Sequence, residues 1–231
     1  MTPLFRRPAG FPRRFLSLLI GLLFYGLGIS LMVRAGLGVA PWDVLALGVE
    51  NQTGWNFGFI TVGISLVVLL LWIPLRQWPG IGTVLNTLLV GPSANLGFAV
   101  FPETDNLIVR GIYLVTGILT IGLATGLYIG SHFGPGPRDG LMTGLVRRTG
   151  WKIWQVRSSI EIVVLAIGWA LGGNVGIGTV LFAFGIGPIC NLTIPWLALP
   201  RKAHDAQLES ELEGSLEPST PEHAPGDSPA N

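Results

Sequence analysis

Two aspartates are the residues best suited to chemistry in the apolar body of this sequence. Gly36, Gly38 and Pro41 precede Asp43, and Gly134, Gly136 and Pro137 precede Asp139. Glycine permits close backbone approach and proline stops a preceding helix, so each motif is predicted to interrupt the chain and start a short helix. Each carboxylate is expected either to cap that helix or to face a cavity, where it would bind a cation, a proton or an amine.

Two arginines are expected to pair with acidic side chains. Arg138 directly precedes Asp139 and is expected to neutralise it, so we favour Asp43 as the functional carboxylate. Glu161 lies four residues after Arg157 on the same helix face. This spacing predicts a local ion pair, with a proton relay as the alternative.

Four further polar residues lie within or beside apolar runs. Asn95 and Asn191 are interpreted either as interhelical hydrogen-bonding groups or as a pair of pore-lining amides. Arg34 and His132 each precede a glycine motif. Interface snorkelling of the arginine and a packed or solvated imidazole are expected, with binding of a substrate anion as the alternative.

The composition indicates that these residues lie in a lipid bilayer. The chain has 231 residues, 49% of them hydrophobic and only 12% charged, with 33 glycines. A net charge of +1 gives no indication of nucleic-acid binding, and a single cysteine excludes an intramolecular disulfide framework and a multi-cysteine metal site. The sequence lacks the phosphate-loop, His-Glu-x-x-His and Gly-x-Ser-x-Gly motifs. We therefore expect no cofactor, no metal and no enzymatic activity.

Five charge-free stretches are long enough for the roughly 20 apolar residues of a membrane-spanning helix. They cover residues 15–33, 51–75, 77–102, 111–137 and 162–200. Glycine-rich turn chemistry at 172–178 divides the last stretch, which predicts six spans in an all-α polytopic fold. The apolar cores of 41–50 and 137–147 are too short to cross, so these segments are predicted to be short helices within the protein.

The sequence contains an internal duplication. Residues 43–96 match residues 139–192 without a gap, at 21 identities in 54 positions. The identities include Thr83 and Thr179, which are predicted to cap the helices that they begin. Upstream, the offset between the copies is expected to change from 96 to 98, which makes Arg34 the counterpart of His132.

Each copy has three predicted crossings, an odd number, so the second copy is expected to be inverted in the membrane. The predicted organisation is a basic N-terminus at 1–14, membrane repeats at 15–101 and 107–200, and a disordered acidic tail at 201–231. This topology leaves twelve Lys and Arg residues on one side of the membrane and two on the other. Both termini are therefore expected to be cytoplasmic.

Three segments carry a family resemblance. Residues Gly28–Asp43, the triplet Thr53-Gly54-Trp55 and the run Leu71–Arg76 resemble the YczE-like (YczE/YyaS/YitT) integral membrane proteins of bacteria. The resemblance covers residues 12–200 and omits the tail. It implies a plasma-membrane location and a multi-helix fold, and it carries over no established site residues.

The function expected from these observations is transport of a small solute or ion, by a transporter or a channel, at a site between two inverted repeats. The alternatives are an accessory membrane protein that assists a partner complex and, less favoured, a membrane-embedded enzyme. The expected partners are the lipid bilayer and the solute, with a second copy of the chain or another membrane protein as further alternatives.

Overall fold

A computed structural model of the chain describes residues 10–199, and within this range every regular element is an α-helix. The eight helices are α1 (Phe11–Ala35), α2 (Pro41–Thr53), α3 (Phe57–Leu75), α4 (Ile81–Val100), α5 (Leu107–Ile129), α6 (Pro137–Thr149), α7 (Ile153–Ala170) and α8 (Ile177–Leu197). The all-α fold class is therefore confirmed. The predicted tail at 201–231 and most of the basic N-terminus lie outside the described residues.

Six of the helices are long and apolar enough to cross a membrane, as predicted. They are α1, α3, α4, α5, α7 and α8, with lengths of 18 to 25 residues. Helices α2 and α6 have 13 residues each. At 1.5 Å per residue they are about 20 Å long, well short of the roughly 30 Å hydrocarbon core.

The starting point of α7 differs from the charge-free stretch that predicted it. The helix begins at Ile153, nine residues before position 162, so Arg157 and Glu161 lie within its first turns. These two side chains pair with each other, with 3.0 Å between the Arg157 Nε and a Glu161 carboxylate oxygen. The charge-free stretch begins later than the helix because a paired charge near a helix end is tolerated at the membrane boundary.

The two copies are joined most extensively along α1 and α5, which pack side by side. Glycines make this possible: a Cβ at Gly117 would lie only 2.9 Å from the carbonyl oxygen of Gly28. Small residues at such crossings let helix backbones approach closely, which is how helices gain packing energy in lipid. Elsewhere, α1 packs on α4, α5 on α8, α2 on α7 and α3 on α6.

A pair of arginines 96 residues apart makes the same contacts in both copies. The Arg14 guanidinium in α1 donates to the two carbonyls of residues 131–132, at 2.9 and 3.0 Å. The Arg110 guanidinium in α5 donates to the carbonyls of residues 35–36, at 2.6 and 2.9 Å. Each long helix thus holds the loop of the opposite copy, just before that copy's short helix.

The same loops correct the expected offset of 98. Gly36 and His132 have φ angles of 61° and 59°, and Gly38 and Gly134 have φ angles of 106° and 108°. These pairs are 96 residues apart, so the duplication keeps one register through the loops. His132 is the counterpart of Gly36 and not of Arg34. The few shared glycines misled the sequence comparison, whereas the positions of left-handed backbone define the true correspondence.

Candidate functional site

The first turns of α2 and α6 form the centre of the site. Ala40 and Gly136 occupy the N-cap positions, and neither helix has a side-chain cap. Asp43 and Asp139 are the third residues of their helices. The expectation that they are N-caps is therefore wrong, because proline begins each helix and places the aspartate one turn in. Both carboxylates still lie where the helix dipole favours negative charge.

The loops that lead into these short helices are held by backbone hydrogen bonds from the opposite copy. The Gly178 amide at the start of α8 donates to the Leu37 carbonyl at 2.7 Å. The equivalent Gly82 amide at the start of α4 donates to the Phe133 carbonyl at 2.8 Å. The long-helix starts therefore fix where α2 and α6 begin.

Thr83 and Thr179 support this arrangement from within the starts of α4 and α8. Each hydroxyl oxygen accepts a hydrogen bond from the N-cap amide three residues earlier, at 3.2 Å for Gly80 and 3.4 Å for Gly176. The predicted capping role is confirmed, although the threonines act from the third helical position and not from the N-cap itself. The Thr83 hydroxyl also donates to the Pro135 carbonyl at 2.7 Å.

Arg138 links the two short helices. Its Nη2 atom lies 3.6 Å from the Asp43 Oδ1 atom, and its guanidinium stands over the Trp42 ring at 5.1 Å from the ring centroid. Trp42 and Arg138 occupy equivalent positions in the two copies. Because they contact each other, the first turns of α2 and α6 face each other. The expected neutralisation is thus corrected: Arg138 pairs with Asp43 in the other copy and not with its neighbour Asp139.

Asp43 is enclosed by protein. Only 2% of the residue is exposed, and its Oδ1 atom has no hydrogen-bond partner within residues 10–199. The helix that carries it, α2, is not one of the six spanning helices. Burial raises the pKa of the Asp43 carboxyl, and the Arg138 guanidinium opposes this by lowering it.

Asp139 has a different environment, although it is the equivalent residue. The Tyr128 hydroxyl donates a 2.7 Å hydrogen bond to the Asp139 Oδ2 atom. A Cβ built on Gly136 would lie 3.3 Å from that oxygen and 3.4 Å from both the Asn86 Nδ2 atom and the Tyr128 hydroxyl. Three polar groups therefore converge beside a backbone position that has no side chain.

These groups face a central cavity of about 200 Å³, to which all eight helices contribute. Its polar and charged lining consists of Tyr25, Trp42, Thr61, Ser65, Asn86, Thr125, Tyr128, Arg138, Asp139, Arg157, Glu161 and Cys190. The starts of both short helices, Pro41 and Pro137, belong to the wall. Half of the Arg157 side chain is exposed, so the cavity reaches the protein surface at the start of α7.

The two copies differ in how their last two helices pack. Helix α3 packs closely on α4, where Gly58 and Gly91 leave no space for a side chain between them. Their counterparts α7 and α8 barely touch, and a Cβ at Gly187, the counterpart of Gly91, would meet nothing within 4 Å. The central cavity extends into this gap, along α8 from Phe182 to Ile194.

The two asparagines lie away from the cavity. The Asn95 side-chain oxygen accepts a 3.1 Å hydrogen bond from the Gly58 amide, which joins α4 to the start of α3. Asn191 is exposed on α8 and does not line the cavity. The central cavity gives no support to the alternative of a pore-lining pair, and the interhelical alternative is confirmed for Asn95. The difference follows from the packing, because α3 is close to α4 and α7 is distant from α8.

Arg34 and His132 are also outside the cavity. The Arg34 guanidinium donates to the Phe98 carbonyl at 2.8 Å and forms an ion pair with Glu103. The His132 carbonyl is one of the acceptors of the Arg14 guanidinium. Neither side chain lines the central cavity, so the alternative of an anion site at these residues receives no support from the geometry.

Glu161 and Arg157 form the predicted ion pair, and both line the cavity. Sequence reasoning missed Tyr25, Tyr128 and Asn86 as wall residues. Each is a polar group within an apolar run, which is the signal that could have identified it. The comparison of the two copies did not identify these residues, because none has an identical residue at the equivalent position.

The described residues thus define a multi-pass, all-helical integral membrane protein with six spanning helices and two short internal helices around a central cavity. The chain belongs to a family of unknown function, DUF6198, whose profile matches residues 12–195. Two relatives from Bacillus subtilis, YczE and YyaS, confirm the resemblance to the YczE-like proteins.

The matched region covers most of the length of each relative. An uncharacterized protein of Haemophilus influenzae is 42% identical over 172 residues, which are 74% of this chain and 79% of the relative. The uncharacterized membrane protein YczE of Bacillus subtilis is 32% identical over 76% of this chain and 82% of its own. The Bacillus subtilis protein YyaS is 30% identical over 76% of this chain and 90% of its own. No solved structure matches the chain significantly.

Proposed function

We propose that this protein is a small-solute transporter of the bacterial plasma membrane, without enzymatic activity, and that its substrate binds in the central cavity. The observation that carries the proposal is the central cavity, to which all eight helices contribute and whose wall carries ionisable side chains from α6 and α7. Ionisable groups inside a membrane protein are costly and usually mark substrate or ion pathways. Many transporter sites lie between two structural repeats, where the ends of interrupted helices meet.

The proposal includes an inverted arrangement of the two copies. Each copy has three of the six long helices and one short helix, in the same order along the chain. An odd number of crossings inverts the second copy relative to the first. The Lys and Arg distribution favours cytoplasmic termini, and it places the exposed turn between α4 and α5 outside.

A transporter is favoured over a channel by the unequal packing of the two copies. A close contact between α3 and α4 coexists with a gap between α7 and α8. If α7 closes on α8 while α3 separates from α4, the gap closes on one side of the membrane and another opens on the opposite side. Alternating access through repeats with two arrangements follows this scheme.

Counterflow in proteoliposomes tests the proposal. The purified full-length protein is reconstituted, and uptake of labelled amines, sugars, amino acids and carboxylates is measured with and without the unlabelled solute inside. A transporter accelerates uptake when its substrate is present on the other side, whereas a channel does not. An outcome without uptake of any solute, together with co-purification of a stable partner, would favour the accessory function instead.

Alkylation of Cys190 provides a site-specific control. This cysteine lines the cavity on α8 and is the single cysteine of the chain. A bulky maleimide should block counterflow of the native protein, because it fills the cavity. The Cys190→Ala variant should show the same counterflow rate with and without the reagent. Block of both proteins would show that the reagent acts elsewhere.

A further inference from the structure

We propose that the central cavity selects a protonated amine and that the Asp139 carboxylate binds its ammonium group. This substrate class rests on the proposed transport function and makes it more specific. Three features of the site lead to it: the charges that remain after internal pairing, the groups that surround Asp139, and the aromatic rings of the wall.

The carboxylates in and behind the cavity wall outnumber the guanidinium groups, because the buried Asp43 behind the wall pairs with Arg138. The acidic side chains of the wall are Asp139 and Glu161, and its basic side chains are Arg138 and Arg157. Arg157 pairs with Glu161 at 3.0 Å, and Arg138 pairs with the buried Asp43 behind the wall. Among the described residues, Asp139 is therefore the wall carboxylate without a basic partner. A carboxylate inside a membrane protein favours a cation as its counter-charge.

The groups beside Asp139 leave room for a ligand. The Asp139 Oδ2 atom accepts one hydrogen bond, from Tyr128, and the Asn86 amide lies beside the same glycine position. Thr61, another residue of the cavity wall, is only 2% exposed, and its hydroxyl has no hydrogen-bond partner within residues 10–199. A buried hydroxyl without a partner costs free energy unless a ligand satisfies it.

The aromatic wall suits a cation with an organic body. Tyr25 and Tyr128 both line the cavity and contact each other edge to face, with 6.0 Å between their ring centroids. The Trp42 face already carries a cation of the protein itself, the Arg138 guanidinium at 5.1 Å. Tyrosine and tryptophan rings attract ammonium groups through their negative faces.

The size of the cavity argues against a single inorganic ion. Its volume of about 200 Å³ is more than ten times the roughly 10–15 Å³ that one water requires on the same measure. An ion as small as Na⁺ would leave most of this space to water. A small organic amine can contact both the Asp139 carboxylate and the neighbouring tyrosine rings.

Thermal unfolding of the purified full-length protein with matched probes tests the charge preference. Ethylammonium and tetramethylammonium are compared with ethanol and acetate of similar size, and with NaCl and KCl at equal ionic strength. We expect a concentration-dependent rise in Tm with at least one ammonium ion, and none with the neutral, anionic or inorganic probes. Stabilisation by acetate or by Na⁺ alone would overturn the substrate class, as would a lack of any ammonium effect.

Variants then locate the site. Asp139→Asn should weaken ammonium binding at least tenfold, and Asp139→Glu should retain part of it because the charge remains. Asp105→Asn, in the exposed turn before α5, is the matched control and should bind as the parent does. Ammonium binding by Asp139→Asn equal to that of the parent would refute the assignment. If another solute shows counterflow while ammonium ions neither bind nor move, the transport proposal survives and the amine proposal fails.

Discussion

Replacement of Gly91 by alanine should shift the protein away from the state with α3 closed on α4. A Cβ at position 91 would overlap the carbonyl oxygen of Gly58, so α3 and α4 would have to separate by roughly 1 Å. The Gly187→Ala change on α8 is the matched control, because its Cβ meets nothing within 4 Å. The two variants add the same methyl group at equivalent positions of the two copies.

The expected size of the shift follows from the cost of overpacking. Extra carbon atoms in a well-packed region cost about 1–3 kcal/mol, and this cost applies only to the state in which α3 contacts α4. A two-state equilibrium biased by about 1–3 kcal/mol changes roughly 5- to 150-fold. The state with α3 and α4 apart should gain population by a factor in this range.

Cysteine accessibility measures the shift, since Ala94 and Cys190 are equivalent positions. Ala94 is fully buried on α4, with its backbone amide against Gly26 of α1, whereas Cys190 lines the open cavity. In protein with Cys190→Ala, a cysteine introduced by Ala94→Cys should react slowly with a maleimide. Addition of Gly91→Ala should raise its labelling rate by the population factor, and Gly187→Ala should leave it unchanged.

Three outcomes would refute this reasoning. Equal effects of Gly91→Ala and Gly187→Ala on labelling would show that the contact between α3 and α4 is not a gate. A lower Tm with unchanged labelling would show that the substitution only destabilises the fold. Fast labelling at position 94 in otherwise native protein would show that this side is already open.

The remaining predictions concern the fold, the topology and the tail. Trp72→Phe should lower the unfolding free energy by about 1–3 kcal/mol, because the buried indole donates a 3.0 Å hydrogen bond to the first carbonyl of α6. Trp78→Phe, at a ring that is 92% exposed, should be near neutral when both variants are unfolded in detergent. A cysteine at Asp105 in Cys190→Ala protein should react with an impermeant reagent in intact cells, and labelling only after permeabilisation would reverse the proposed orientation. Ending the chain after residue 203 should leave expression and Tm unchanged, because the removed segment has few apolar residues to bury; loss of folded protein would contradict this.

The membrane fold follows from sequence-level physics alone. Long apolar stretches can satisfy their backbone only as helices in lipid, so composition predicted the six spans. Proline and glycine punctuation predicted the two short helices near Asp43 and Asp139, and both begin at the predicted prolines. Local signals suffice here because helix starts and span lengths depend on neighbouring residues.

The partners of the charged groups were decided by tertiary packing. Arg138 is adjacent to Asp139 in sequence, yet it pairs with Asp43 because the first turns of α2 and α6 face each other. Tyr128 becomes the hydrogen-bond donor to Asp139 because the loop after α5 folds back towards that helix. Such pairings depend on how distant segments meet, and residue spacing along one chain does not encode them.

The duplication marks the clearest division between the two sources of information. The sequence by itself determined that two copies exist and that Asn95 and Asn191 are equivalent. Only the tertiary structure decided that the copies pack differently, with Asn95 bonded between α3 and α4 and Asn191 exposed on α8. The physical reason is that similar sequences have similar local preferences, whereas the packing of each copy depends on its surroundings. That difference in packing leaves the gap between α7 and α8 into which the central cavity extends.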